Sequence, residues 1–168
     1  MIVDSGNRTE FETGAVRDIQ QGKGRCDLMP LDVVAMAYVR QFGAVGYAGM
    51  IFNDIHQFTK TGKTSFLYDT LHVLVNVQHS FSDYADMFLA VAQHFEEGAK
   101  KYGERNWEKG IPLSRYIDSA TRHYLKMLRG DTDEPHDRAF VWNIMCAIWT
   151  AEHKPELNEY RNNQESRG

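Results

Sequence analysis

Two pairs of acidic residues have the type and spacing to hold a metal ion. Glu134 and Asp137 stand three residues apart in a segment with helical periodicity, so their carboxylates would project to the same side of a helix. Carboxylate oxygens are the ligands that Mg²⁺ prefers. That side continues as an apolar stripe, where buried acids are costly unless something neutralises them. The plain alternative is that acids in a first turn interact favourably with the helix dipole.

The second pair, Glu96 and Glu97, lies near the predicted C-terminal end of another helix. A charge pair at a helix end is usually just solvated. Here the negative charges oppose the helix dipole, so the usual stabilising reason for acids at a helix end is absent. This position favours a functional role.

Histidine, cationic and amide side chains complete the set of candidates. By a count of about 100° per residue, His136 falls on the other side of its helix from Glu134, so both could face one ion only if Pro135 distorts the helix start. A lone histidine is more often packed or exposed than a ligand, and most cations are solvated surface. The remaining candidates for binding a substrate are Lys23, Arg25, Lys101, Asn106, Trp107, Arg122, His123 and Asn143.

Composition restricts the class of protein that carries these residues. A chain of 168 residues with 42% hydrophobic content is one domain by size. A net charge of −4 argues against a binder of polymeric nucleic acid. The polar start does not resemble a signal peptide, and no apolar run approaches the roughly 20 residues of a membrane span. Cys26 and Cys146, far apart and in no CxxC spacing, favour free thiols in a reducing compartment, hence the cytoplasm.

The periodicity predicts an all-α fold, a compact bundle of about five helices without a strand pair. Residues 1–30 form an irregular basic arm, 31–152 the helical core and 153–168 a polar tail that is expected to fray. The predicted helices are Leu31 to Phe42, Ser65 to Gln78, a third capped by Ser80 or Ser82 and running to about Lys101, a fourth between Gly110 and Gly130, and a last one capped within 131–133. Residues 43–64 are expected to be loop with a short element.

The arm allows two interpretations. Its glycines alternate with cationic residues, a pattern that lets a backbone wrap an anion and expose its N–H groups. The alternative is an ordered arm that packs on the protein surface.

Four stretches together resemble one known family: GAVRDIQQGKGRCDLMP, EEGAKKYGERNWEKG, SRYIDSATRHYLKMLRG and DTDEPHDRAFVWN. They are similar to the dATP/dGTP diphosphohydrolase N-terminal family, which occurs largely in phages and is related to the MazG-like all-α pyrophosphohydrolases. The resemblance implies Mg²⁺- or Mn²⁺-dependent hydrolysis of a purine deoxynucleoside triphosphate to a monophosphate and pyrophosphate. For a phage protein, the compartment would be the host cytoplasm.

The resemblance also implies roles for particular residues. MazG-like proteins carry EExxE on one helix and ExxD on another, and Glu96, Glu97, Glu134 and Asp137 match four of these acids as metal ligands. Lys100 stands where the third acid of EExxE should be, and His136 or Asp133 could compensate. Glu97, Glu134 and His136 are then the catalytic candidates.

Two other functions stay open at this point. The missing acid at Lys100 fits a nucleotide-binding or regulatory module without catalysis. A purely structural helical protein would carry the same polar clusters incidentally. Because MazG-like proteins commonly assemble as dimers or tetramers, the resemblance further implies a homo-oligomer.

Overall fold

The computed structural model of the chain describes residues 6–20, 23–42 and 46–161. It is all-α apart from one small hairpin, as the periodicity predicted. The strands are β1 (Arg8–Glu10) and β2 (Val16–Asp18). The α-helices are α1 (Leu31–Phe42), α2 (Tyr47–Thr61), α3 (Ser65–Asn76), α4 (Tyr84–Tyr102), α5 (Leu113–Arg129) and α6 (His136–His153). Short 3₁₀ helices span Cys26–Leu28, Asn106–Lys109 and Pro155–Leu157.

Helix α6 is the centre of the fold. It is apolar almost all round, and side chains on every side of it are buried, among them Phe140, Val141, Ile144 and Ile148. Helices α3, α4 and α5 pack around it, and α5 makes the most extensive contact. Along the described part of the chain, no helix has the length and apolar character required to cross a bilayer.

The helix ends follow local sequence signals, although not always the predicted ones. Gly130 ends α5 in the left-handed conformation (φ 84°), as predicted. The expected serine caps of α4 are wrong, because Asp83 accepts a hydrogen bond from the Asp86 amide at 2.8 Å. The Asp86 carboxylate in turn accepts from the amide of Ser82 at 3.0 Å, so the two aspartates form a reciprocal cap.

Helix α2 corrects the prediction of a loop over residues 43–64. It is 15 residues long and buries Ile51, Phe52, Ile55 and Phe58 on its inner face. The glycines before it obscured this periodicity, but Gly49 is required by packing. A Cβ built on Gly49 would lie 2.7 Å from Val39 Cγ2 and 3.3 Å from the Ala35 carbonyl oxygen, so α1 and α2 cross at a point with no space for a side chain.

We expect Gly49→Leu to lower the free energy of unfolding by about 1–3 kcal/mol or more, because the added side chain would push α1 and α2 apart. Gly98→Ala in α4 is the matched control, since a Cβ there meets nothing within 4 Å. It should be neutral or stabilise by up to about 1 kcal/mol. Urea unfolding measures both, and equal stabilities of the two variants would contradict the close crossing.

The ends of the chain also differ from the expectations. The arm contains a strand pair that the sequence did not predict, with Thr9 opposite Arg17 in an antiparallel hairpin. The described part of the tail is docked rather than frayed. Glu159 accepts hydrogen bonds from the Ser114 amide at 2.7 Å and hydroxyl at 2.9 Å, and the Tyr160 ring packs on Phe58. Residues 162–168 lie outside the described residues.

Candidate functional site

A cavity of about 680 Å³ lies between the N-terminal arm and helices α4, α5 and α6. This volume is in the range of small-molecule sites. Its walls come from β2 and the residues after it, from the end of α4, from the Asn106–Lys109 turn, from one face of α5, from the residues just before α6 and from the middle of α6. The arm therefore forms one wall of the cavity, which fits the second of the two interpretations of its sequence.

Buried polar side chains hold the arm in place. The Asn106 side chain accepts a hydrogen bond from the Val16 amide at 2.9 Å and donates to its carbonyl at 2.8 Å, as a neighbouring strand would. On α5, the Asp118 carboxylate accepts from the Cys26 amide and the Gln20 side chain, both at 2.7 Å. The arm and the helical body thus form the cavity together.

Aromatic rings form one side of the cavity, and Arg17 lies against them. Its guanidinium is 5.1 Å from the centre of the Tyr116 ring and 5.6 Å from that of Trp142. Its Nη2 donates to Asn143 Oδ1, whereas the buried Nη1 has no hydrogen-bond partner among the described residues. Burial lowers the pKa of this guanidinium. A buried charged donor without an acceptor is costly, so this nitrogen is poised to bind a ligand acceptor.

Another part of the cavity wall is rich in charge. Arg115, Arg122 and Lys126 project from α5 at intervals of one to two turns and all line the cavity. Arg122 contacts Asp118, and the Lys126 ammonium lies 3.0 Å from Asp133 Oδ2. Such a row of cations beside aromatic rings suits an anion that carries a ring system.

His123 and Glu134 line the same cavity and meet His136. The two imidazole Nδ1 atoms are 3.0 Å apart, and Glu134 Oε1 is 3.6 Å from the Nδ1 of His123 and 3.7 Å from that of His136. Glu134 precedes α6 instead of lying in it, so the helical count that separated Glu134 from His136 does not apply. Two imidazole nitrogens and one carboxylate oxygen fit a divalent cation better than the carboxylate of Glu134 alone would.

A second cavity adjoins the first and is acidic. It has a volume of about 650 Å³, and Asp133 and Glu134 line both cavities. The predicted side-chain cap of α6 within residues 131–133 is absent. Asp133 Oδ1 instead lies 2.9 Å from His136 Nε2. The contacts with Lys126 and His136 lower the pKa of Asp133 to about 2.

The other predicted metal ligands have partners of their own. Glu96 is exposed and forms an ion pair with Lys100, and Glu97 accepts a hydrogen bond from the buried Arg138 at 2.9 Å. Asp137 Oδ1 accepts from the Arg138 amide at 2.8 Å. In the part of the chain that the structure describes, two groups of three side chains could hold a metal ion. One of them contains Glu134, and neither contains Glu96, Glu97 or Asp137. Their metal-binding roles stay predictions.

The predicted substrate-binding residues fall into two groups. Lys23, Asn106, Trp107, Arg122, His123 and Asn143 line the large cavity, whereas Arg25 and Lys101 are not in its wall. Arg25 pairs with Asp27, and the Lys101 ammonium lies 2.9 Å from Asp18 Oδ2. Both amides are engaged within the protein, because Asn106 holds β2 and Asn143 bonds the Ala139 carbonyl oxygen at 2.8 Å. They position the wall of the cavity.

Sequence reasoning did not select Arg17 or Asp118. Arg17 lies in the arm among several similar cations, and nothing local marks it as the one that packs against the rings of Tyr116 and Trp142. Asp118 occupies an apolar helix stripe and is 2% exposed. A carboxylate at a core position is the signal that could have identified it.

His94 gives the stability of the protein a measurable dependence on pH. Burial, with a smaller contribution from the Arg138 charge, lowers the pKa of His94 to about 4. Between pH 6.5 and 4 the unfolded chain therefore binds a proton that the folded chain does not. We expect this histidine to lower the free energy of unfolding by up to about 1.4 kcal/mol for each pH unit of acidification in that interval.

Unfolding by urea at several pH values measures this slope. His94→Gln should have a smaller slope, whereas His72→Gln, at an exposed position of α3, controls for the loss of a histidine that is not buried. An identical slope for the parent and His94→Gln would contradict the prediction.

Residues 79–160 match the family model described as dATP/dGTP diphosphohydrolase, N-terminal. No curated protein and no solved structure matches the chain. The match includes α4, α5 and α6 with their cavity-lining side chains, but not the arm. Over residues 79–160 the chain thus matches the dATP/dGTP diphosphohydrolase N-terminal family, the family that its motifs resemble.

Proposed function

We propose that this protein is a metal-dependent hydrolase that converts dATP or dGTP to the monophosphate and pyrophosphate. The observation that carries the proposal is the large cavity, in which an aromatic wall and a row of cations meet the carboxylate of Glu134. The family match supports a nucleotide substrate and a diphosphohydrolase activity. The site of cleavage, between the α- and β-phosphates, comes from the resemblance to MazG-like proteins.

The charged side of the cavity suits the triphosphate. Arg115, Arg122 and Lys126 can donate charge-assisted hydrogen bonds to phosphate oxygens and stabilise the charge that develops on pyrophosphate. A divalent cation bound at Glu134 would neutralise phosphate charge and lower the pKa of a water molecule. Arg122 already contacts Asp118, so a phosphate would compete with this carboxylate and would couple binding to the position of the arm.

The aromatic side suits the purine. Phe95, Trp107 and Trp142 form a connected set of rings in the cavity wall, with centroid separations of 5.6 and 5.8 Å from Phe95. Arg17 Nη1 beside them can donate to an acceptor on the base or the α-phosphate. Enclosure by the arm would exclude water from this end of the ligand.

The test is a product assay across the deoxy- and ribonucleoside triphosphates with Mg²⁺ and with Mn²⁺. We expect pyrophosphate and a monophosphate in equal amounts, with dATP or dGTP as the best substrate. Release of orthophosphate would place cleavage elsewhere in the chain of phosphates. No turnover of any nucleotide under either metal would overturn the proposal.

A nucleotide-binding module without catalysis is the second candidate. One observation favours it: Glu96 and Glu97, the acids expected to bind metal, have Lys100 and Arg138 as cationic partners. Such a module would bind the same nucleotides without consuming them. A nucleotide-dependent rise in melting temperature with unchanged nucleotide after long incubation would establish it.

The family resemblance further implies a homo-oligomer. Tyr84, Phe88 and Leu89 are exposed on α4, and Leu89 has 71% of its surface accessible. Large apolar side chains grouped in this way are candidates for burial against a second copy. Light scattering coupled to gel filtration should give at least twice the chain mass, and Leu89→Lys should reduce that mass. A monomeric parent would contradict the proposal.

A further inference from the structure

We propose that His123, His136 and Glu134 form a binding site for one transition-metal ion, with the two imidazole Nδ1 atoms and one carboxylate oxygen as ligands. This site differs in chemistry from the all-carboxylate site that the sequence predicted. It does not depend on the reaction that the protein catalyses, because metal binding can be measured without a nucleotide.

The spacing of the three ligand atoms is that of ligands around one ion. Their separations are 3.0, 3.6 and 3.7 Å. A circle through three points with these separations has a radius of about 2.0 Å, which is close to the usual zinc–nitrogen and zinc–oxygen distances. An ion near the centre of the triangle would therefore reach all three atoms with little movement of the side chains.

The tautomer of His136 also suits a metal ligand. Its Nε2 lies 2.9 Å from Asp133 Oδ1, so the Nε2 proton donates to this carboxylate. In this tautomer the ring presents the lone pair of Nδ1 towards His123 and Glu134. A carboxylate that holds the far nitrogen of a ligating histidine is the usual second layer of a metal site, where it fixes the tautomer and the ring orientation.

A hydrogen bond between the two histidines accounts for only part of this arrangement. It would explain the short Nδ1–Nδ1 separation, with His123 as donor. It would leave Glu134 Oε1 too far from either ring for a hydrogen bond. Within the described residues, no hydrogen bond to Glu134 is formed, although only 13% of its side chain is exposed. A cation would satisfy this carboxylate and both rings at once.

The alternative ligand group is less suitable. Asp131, Asp133 and His136 also lie close together. However, Asp131 pairs with Arg129, and Asp133 pairs with Lys126 and His136. These carboxylates are already neutralised, whereas the ionic partners of Glu134 among the described residues are the two histidines alone.

The ligand types indicate the class of metal. Mg²⁺ prefers oxygen ligands and keeps most of its water. Two imidazoles and one carboxylate favour Mn²⁺, Fe²⁺, Co²⁺ or Zn²⁺ and leave positions for water or substrate oxygens. Because Glu134 and His123 line the large cavity, an ion held there would lie at its edge.

The test titrates the metal-free protein with Co²⁺ and records the visible ligand-field bands. We expect one Co²⁺ ion per chain, no displacement by an equal concentration of Mg²⁺, and at least tenfold weaker binding in His123→Asn and in His136→Gln. His153→Gln is the matched control, because this exposed histidine at the end of α6 lies away from the three ligands. Circular dichroism verifies that each variant is folded.

A second measurement needs no variant. One equivalent of Zn²⁺ should shift the imidazole ¹⁵N resonances of two of the seven histidines in the parent protein. Shifts in none of them, or Co²⁺ affinity that is unchanged in both histidine variants, would overturn the site. If nucleotides are hydrolysed with Mg²⁺ while these metal experiments fail, the proposed activity stands and this inference does not. If the metal binds as expected but no nucleotide is hydrolysed, this inference stands and the proposed activity does not.

Discussion

Glu134→Gln is expected to reduce kcat for the best deoxynucleoside triphosphate by about 10³-fold, because an amide cannot supply the anionic oxygen that the proposed cation requires. The substitution keeps the shape of the side chain and removes only its charge. Glu134 is the one acid predicted from sequence that lines both cavities and contacts both histidines. Steady-state kinetics of pyrophosphate release measure the change.

The matched control is Glu152→Gln, which removes an acid from an exposed position of α6. Its carboxylate lies 3.4 Å from the Tyr68 hydroxyl and away from both cavities. It should keep kcat within about twofold of the parent. If Glu134→Gln retains more than a tenth of the parent kcat while folded, Glu134 has no part in the reaction.

Arg17→Met is expected to weaken nucleotide binding by about 10- to 100-fold. The side chain keeps most of the apolar volume between Tyr116 and Trp142 but loses the buried Nη1 donor. A hydrogen bond from a charged group contributes about 1.5–3 kcal/mol, which corresponds to this range of affinity. Calorimetric titration with a non-hydrolysable triphosphate analogue gives the dissociation constant directly.

Arg40→Met controls for the loss of a cation, since Arg40 is exposed on α1 and outside the cavity. It should bind the analogue as the parent does. The thermal shift caused by the analogue should be smaller in Arg17→Met and unchanged in Arg40→Met. Equal dissociation constants for the two variants would show that Arg17 only packs against the rings.

The family, the fold class and several helix boundaries were accessible from sequence. Apolar periodicity predicted α1 with its exact bounds, and Gly130 marked the end of α5, because both signals are local. The prediction failed for α2, where packing against α1 requires a glycine that weakens the local pattern. It failed likewise for the hairpin, whose strands are only three residues long.

For the candidate site, too, the residues were predicted from sequence, but their arrangement was not. Glu134, His123 and His136 were identified one by one, since their residue types suggest metal or acid–base chemistry. Their meeting depends on where α6 begins. Because the helix starts at His136 and not before Glu134, the acid is free of the helical repeat and can turn towards both rings.

By itself, the sequence determined that the protein is all-α, that its motifs resemble those of a known family and which polar residues are candidates for the site. Those properties depend on residues close together along the chain. Only the tertiary structure decided that Arg138 neutralises Glu97, and that Arg17 from the arm packs against Tyr116 of α5 and Trp142 of α6. Such contacts join residues that are distant in sequence or set by the exact bounds of a helix, and no local pattern encodes them.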